Sequence, residues 1–392
     1  MGEHVERTWE GDPGAYGGRT ARAPFRYRAF VPDPVASTNV SLTLETIERI
    51  VAAEAAVTAL NSDPRVLGLE AIGPLLLRSE AVASSRIEGI ELSQRNLARA
   101  LIDPRAARGT ARAVAANVIA MEQAIAIGEE ARPLTPADLL AIHATLLADA
   151  PGRLMPGQFR REQNWIGGRL NSPLDARYVP PPEGQVERLI ADLVAFVNRG
   201  DVPSIAQAAI AHAQFEAIHP FLDGNGRVGR CLIHVILRRR GVAPRFVPPV
   251  SIVLSARPTS YIEGLEGFRA GLVEAWCASF AGSCARASVL SVELAEEVAR
   301  LLDEWYERAA RPRRDSTAAR IIPLLPSQPI VSAATIRAAL NTRHQRALEG
   351  LKVLADHGVV RQITESGYGK QYAADELFSV LEAYERRITG AE

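Results

Sequence analysis

Apolar residues recur at helical spacing along most of this chain. From Leu42 to Leu60, Leu44, Ile47, Ile50 and Val51 return at intervals of three and four with Glu45, Glu48 and Arg49 between them, which predicts an amphipathic helix. A second helix is predicted from Ala71 to Ile87, with Gly89 at the place of a C-terminal cap. Ala-rich helices follow over 92–102 and 109–128. Thr135-Pro136 reads as an N-cap with proline at the first helical position, opening a helix that ends near Asp149, before Pro151-Gly152. Further helices are predicted over 185–199, 203–217 and 226–240, and more fill 258–310.

The helical period lapses in a few places, and each lapse marks a boundary. Residues 1–23 carry Gly11, Gly14, Gly17 and Gly18 among polar neighbours without a period, which predicts a flexible tail, and a short extended piece follows at Tyr27–Pro32. Between 153 and 182, Phe159, Trp165 and Ile166 precede Gly167-Gly168, and Tyr178-Val179 precede three prolines, the pattern of a β-hairpin flap. Arg311–Asp315 reads as a linker. Beyond it, helices over 316–324, Ser332–Leu340 and Thr342–His357, a strand at Gly358–Val360 and a wing from Ile363 to Tyr372 around Gly367 and Gly369 predict a winged helix-turn-helix. The expected organisation is mainly α: a tail at 1–23, an N-terminal helical region at 24–130, a central region with its following helices at 131–310, and the winged unit at 315–392.

Composition narrows the function classes. Hydrophobic residues are 47% of the 392, enough for a real core, and 45 basic residues balance 45 acidic ones. Bulk attraction to nucleic acid or an anionic membrane is therefore not expected. Cys231, Cys277 and Cys284 are odd in number and lack metal-ligand or redox spacing, which suits a reducing compartment. Residues 1–12 contain Glu3, Glu6 and Glu10 and no apolar run, so no signal peptide is expected, and no stretch is long enough for a membrane span. The expected location is the cytoplasm.

The chemistry is concentrated in His219-Pro220-Phe221-Leu222-Asp223-Gly224-Asn225-Gly226-Arg227-Val228-Gly229-Arg230. Gly224 and Gly226 flank Asn225 at a predicted helix start. Glycine lets backbone approach a ligand closely, and the free N–H groups of a helix N-terminus favour an anion. Arg227 and Arg230, three apart, share a helix face, and guanidinium groups grip phosphate oxygens in a fork. Asp223 is a hard oxygen donor beside this nest, of the kind magnesium takes together with phosphate oxygens. His219 has an ordinary pKa of about 6.5, suited to taking a proton from a hydroxyl at neutral pH. Singly, each residue has an ordinary reading as turn, surface or loop. Together they make an anion cradle, cations, a metal ligand and a base, the parts that phosphoryl chemistry needs.

This segment resembles the signature of the Fic family, His-Pro-Phe-x-Asp/Glu-Gly-Asn-Gly-Arg-x-x-Arg. The preceding Ala211–Ile218 and the flap segment from Gly157-Gln158-Phe159-Arg160 to Pro180-Pro181-Pro182 are similar too. The resemblance covers about 24–300. It implies a helical Fic core that transfers AMP from ATP to a Ser, Thr or Tyr hydroxyl of a target protein, with Mg2+. His219 would be the base, Asp223 the magnesium ligand and Gly224, Asn225 and Gly226 the phosphate cradle. Arg227 would neutralise the outgoing pyrophosphate, and Arg230 would hold the γ-phosphate. The target would dock on the flap at about 158–182 by adding a strand to its edge. Tyr261 is placed either to stack on adenine or simply to pack.

Ser84-Ser85-Arg86-Ile87-Glu88-Gly89 resembles the family's inhibitory motif, Ser/Thr-x-x-x-Glu-Gly/Asn, with Ser84 and Glu88 in the fixed places. The resemblance implies that Glu88 pairs with Arg230 and displaces the γ-phosphate. Removal of AMP from modified proteins stays open as the alternative, as does a DNA-binding regulator with a nucleotide-sensing core. In the winged unit Thr342, Arg343, Gln345 and Arg346 would meet DNA. The weak basic surplus there leaves a protein partner equally open, and a homodimer is compatible with the sequence.

Overall fold

The structure is a computed structural model, and it describes residues 2–11, 23–69, 71–169, 171–364 and 369–389. It is mainly helical with small β elements, and its residues fall into two compact units. The first comprises Met1–Val51, Ile119–Arg240 and Thr259–Gly282, and the second Ala52–Val118, Gly241–Pro258 and Ser283–Glu392. These divisions differ from boundaries drawn at 130 and 310. They group segments by contacts across the chain, whereas linkers read from composition mark only where the chain is locally irregular.

In the first unit the helix Ser204–Ile218 is the centre. Every residue of it except Glu216 is buried, as befits a helix apolar on nearly all sides. Its polar members are satisfied in place: Gln207 Nε2 donates to the carbonyls of Phe196, Val197 and Arg199. The helices Val186–Val197 and Asn225–Arg239 pack against it. Gly229 sets the approach of the latter, because a Cβ there would lie 2.7 Å from Glu216 Oε1 and 3.1 Å from His212 Nδ1.

One expectation is corrected in this unit and one is refined. Gly2–Trp9, expected within a flexible tail, is a strand paired antiparallel with Phe25–Pro32, in register from Gly2 opposite Pro32 to Trp9 opposite Phe25. Only Val5 and Trp9 of the first strand are even half-buried, so no alternation betrayed it. Its order comes from hydrogen bonding to a partner whose Ala29–Pro32 end is buried. The rest of that tail, 12–22, lies outside the described residues. The flap is not a regular ladder: Ile166 with Tyr178 and Arg169 with Ser172 form isolated bridges. Gly167 and Gly168 at φ of +73° and +71° and the surrounding prolines interrupt the pairing.

The apolar stripe of the helix Leu44–Ser62 also divides. Ile50, Ala53, Val57 and Leu60 form the buried face, while Leu44 and Val51 stay 72% and 57% exposed.

In the second unit the helix Ile72–Ile87 packs on Val250–Ala256, and a core runs from Leu60 and Leu75 through Trp305 to Leu351, Leu377 and Tyr384. Near its C-terminal end, Ile330–Ser332 and Arg361–Gln362 pair on either side of Gln371–Ala373, all antiparallel. The helices Ala333–Leu340 and His344–Asp356 lie between the first two of these strands in sequence. The tip of the expected wing, 365–368 with Gly367, lies outside the described residues. Among the described residues no helix is long and apolar enough to cross a membrane.

Candidate active site

The site forms where the buried helix Ser204–Ile218 stops. His219 caps it in the left-handed region, φ +50° and ψ +59°, with its N–H donating to Phe215 O at 2.9 Å. That conformation is unfavourable for a residue with a Cβ, so surrounding contacts must hold it. It turns the chain sharply, leaves the His219 side chain half-buried, and starts the loop that ends at Gly224. Gly224, at φ +80°, is the N-cap of Asn225–Arg239. A side chain there would be strained and would meet Leu146 Cδ2 at 3.0 Å.

The loop braces itself. Asn225 Oδ1 accepts from Phe221 N and Asn225 Nδ2 donates to Phe221 O, both at 2.8 Å. The Asn225 side chain therefore holds the loop closed and is spent on its backbone. Asp223 Oδ1 accepts from Gly224 N at 2.6 Å and lies 3.4 Å from Arg227 Nη2. Its side chain is 49% exposed, whereas Arg227 and Arg230 are only 3% and 1% exposed. Two buried guanidinium groups in the first turns of a helix concentrate positive potential at its N-terminus. The structure thus brings His219, Asp223, Gly224, Asn225, Gly226, Arg227 and Arg230 together on one loop and helix start.

A residue that the sequence did not single out supports this loop from beneath. His143, on the helix Pro136–Leu146, is fully buried and stacks on Phe221 with centroids 3.7 Å apart and planes at 6°. Its Nδ1 accepts from Gly157 N at 3.0 Å, so the ring proton sits on Nε2 and is donated to Asp223 O at 3.1 Å. Burial pushes its pKa down to about 4, so the ring is neutral under ordinary conditions. Its sequence context is an ordinary amphipathic helix. Only Asp223, 80 residues away, reveals the role.

Tyr261 packs. It is 6% exposed, its hydroxyl lies 2.8 Å from His212 Nε2, and its ring stacks with His212 and tilts against Trp276. Burial, reinforced by Arg230, drives His212 down to a pKa of about 3. Adenine stacking on Tyr261 is therefore not part of the site.

The flap approaches the loop from another side. Ile166 N donates to Tyr178 O at 2.8 Å, and Tyr178 Oη donates to Ala217 O at 2.5 Å. The N-terminal strands join it: Phe30 N donates to Val179 O at 2.9 Å, and Trp9 meets Trp165 edge to face at 5.7 Å.

Ser84 and Glu88 belong to the second unit, and the loop at 219–230 to the first. Ser84 is fully buried in the helix Ile72–Ile87. Glu88 is its C-cap and is exposed. Gly89, at φ +74°, closes the end, with Ile90 N donating to Ser85 O at 3.0 Å. Among the described residues no cluster of three or more His, Cys, Asp or Glu could hold a metal. A single half-exposed carboxylate at Asp223 suits magnesium that arrives held mainly by phosphate oxygens and water.

Residues 133–237 match the Fic/DOC family, and residues 47–126 match the Fic/DOC family N-terminal region. Proteins named "Protein adenylyltransferase Fic" from Drosophila ananassae and Drosophila erecta are 34% and 31% identical over 121 residues, 29% of this chain. The match spans only 22% of the length of those relatives. The fold is similar to a Fic family protein from Desulfovibrio desulfuricans, with a TM-score of 0.51 and 20% identity over 86% of this chain and 97% of the other. It is also similar to a Fic domain containing signaling protein from Bacteroides thetaiotaomicron, with a TM-score of 0.51 and 18% identity over 64% of this chain and 97% of that one. The motif loop, the helical core and both sequence matches agree that the chain carries a Fic/DOC domain at 133–237, preceded by the Fic/DOC N-terminal region at 47–126.

Proposed function

We propose that this protein transfers AMP from ATP to a hydroxyl of a target protein. The observation that carries the reading is the helix start at Gly224–Arg230: a glycine N-cap and two buried arginines next to an exposed carboxylate and a histidine held in a left-handed turn. The names of the Drosophila relatives agree with it.

In this reading the phosphates lie against the helix start at Gly224–Gly226, where Asn225 and Gly226 offer their backbone N–H groups and that of Gly224 is held by Asp223 Oδ1. His219 takes the proton of the target hydroxyl. That oxygen bonds to the α-phosphorus while the bond from the α-phosphorus to the bridging oxygen of pyrophosphate breaks. The departing pyrophosphate carries the added negative charge toward Arg227 and Arg230, where fixed cations lower the barrier without reorganising. Magnesium, held by Asp223, would supply further charge neutralisation on the phosphates. His143 is neutral, and both its ring nitrogens are already engaged. It keeps the Asp223 backbone fixed.

Restraint by Glu88 is part of the proposal. Its support is the Ser84–Gly89 motif and the exposed position of the glutamate at a helix end. A carboxylate on Arg230 would leave the γ-phosphate without its cation, and a misplacement of about 1 Å costs on the order of a hundredfold in rate. Labelling with tagged ATP tests both parts. His219→Ala should abolish labelling, and Glu88→Gly should raise it at least about tenfold. Undiminished label in the alanine variant would remove the transferase assignment. A Glu88→Gly protein no faster than wild type would remove the restraint alone.

A further inference from the structure

Arg160 stands at the start of the flap and is 2% exposed, yet among the described residues no carboxylate pairs with it. Its fork is spent on backbone carbonyls. Nε donates to His219 O at 3.0 Å, Nη1 to Glu162 O at 3.0 Å and Nη2 to Pro181 O at 2.5 Å. Its own N–H donates to Pro220 O at 2.9 Å. Asn164, further along the flap, adds Nδ2 to Phe221 O at 2.8 Å. Three successive carbonyls of the loop, those of His219, Pro220 and Phe221, thus accept from the flap, and both limbs of the flap are tied to the same guanidinium.

Burying a cation is costly, and an apolar side chain of similar volume would fill the space at less expense. Burial does depress the Arg160 pKa, to about 10, which still leaves a cation at neutral pH. What a planar fork offers and an apolar chain does not is fixed geometry at several acceptors at once. The acceptor that needs this most is His219, whose left-handed backbone is unfavourable unless its surroundings impose it.

We propose that Arg160 is a positioning residue: it clasps the carbonyl of His219 to the two limbs of the flap, so that the target-docking segment and the base are set as one body. The proposal rests on the reading of His219 as the base. Its prediction is a rate effect without a nucleotide-binding effect, because the phosphate cradle at Gly224–Arg230 braces itself through Asn225 and His143.

The experiment follows label transfer from tagged ATP in wild type, Arg160→Gln, Arg160→Lys and Asn164→Ala. At saturating ATP the glutamine variant should be slower by about a hundredfold and the lysine variant by about tenfold, with half-saturating ATP shifted by less than about twofold. Asn164→Ala, at a half-exposed site where folding is safer, should show the same split with a smaller loss. Unchanged saturated rates, or a matching loss of ATP affinity, would overturn the clasp. Amide exchange in nucleotide-free protein decides it independently of catalysis. Arg160→Gln should speed exchange in the flap around Ile166 and Tyr178 and at the His219 amide together. Loosening confined to the flap would also overturn the clasp. A wild type that binds ATP and shows no His219-dependent label would sink the transferase reading, and the exchange result would still decide on Arg160.

Discussion

The motif loop and the flap face each other across the site, yet they are held in opposite ways. The loop carries its own braces: Asn225 grips both polar groups of the Phe221 backbone, and Asp223 grips Gly224 N. The flap has two isolated bridges and depends on what it touches: Ala217 through Tyr178, the N-terminal strand through Val179, and the loop carbonyls through Arg160 and Asn164. On the proposed function the loop would receive a triphosphate in one geometry, and such a segment is best fixed locally, because every added external contact adds a way to shift. On the same proposal the flap would receive a protein strand, which needs an edge left open, so that its order has to come from behind.

If this contrast is right, the largest effects come from changes beneath the loop. Gly229→Val should drive the two motif helices apart at Glu216 Oε1 and His212 Nδ1 and destabilise the first unit by about 3 kcal/mol, read as a lower urea midpoint. Asn225→Ala should cost about 2 kcal/mol by stranding the buried Phe221 N–H, and should weaken ATP binding with it. ATP affinity equal to wild type would show that the loop is not self-braced.

Acid should act next. His212 is buried and neutral, with its folded pKa pulled down to about 3. The unfolded chain, with an ordinary pKa of about 6.5, binds the proton first, so stability is full above that value and falls as pH drops below it. By pH 5.5 the loss from this one ring is about 1.4 kcal/mol. His212→Asn should flatten the slope of the urea midpoint against pH, and an unaltered slope would assign the acid sensitivity elsewhere.

The smallest effect belongs to the flap. Trp9→Ala removes the edge-to-face contact with Trp165 and should cost about 1 kcal/mol. It should speed amide exchange around Ile166 and leave ATP affinity unchanged. A drop in ATP affinity from Trp9→Ala would erase the distinction between the two segments.

The helices of both units were legible along the chain because burial imposes a period of 3.6 on any amphipathic segment. The motif loop was legible because its parts are contiguous: cradle, cations, carboxylate and histidine occupy twelve successive positions. Where partners are distant, reading failed. Gly2–Trp9 has no apolar alternation and is a strand only because Phe25–Pro32 lies beside it. The exposure of Leu44 and Val51 could not be told from the burial of Ile50, since all share one helical spacing and only packing selects the face. Tyr261 carried two readings until His212 and Trp276 were seen against it.

The amino-acid order alone determined the helical character of the chain and the residue set gathered at 219–230, because both depend on neighbours a few residues apart. The tertiary structure alone decided that His143 carries the floor of the loop, that Arg160 ties it to the flap, and that Tyr261 is core. Those roles are made by contacts between segments tens of residues apart, and no local pattern encodes which distant carbonyl a buried donor will meet.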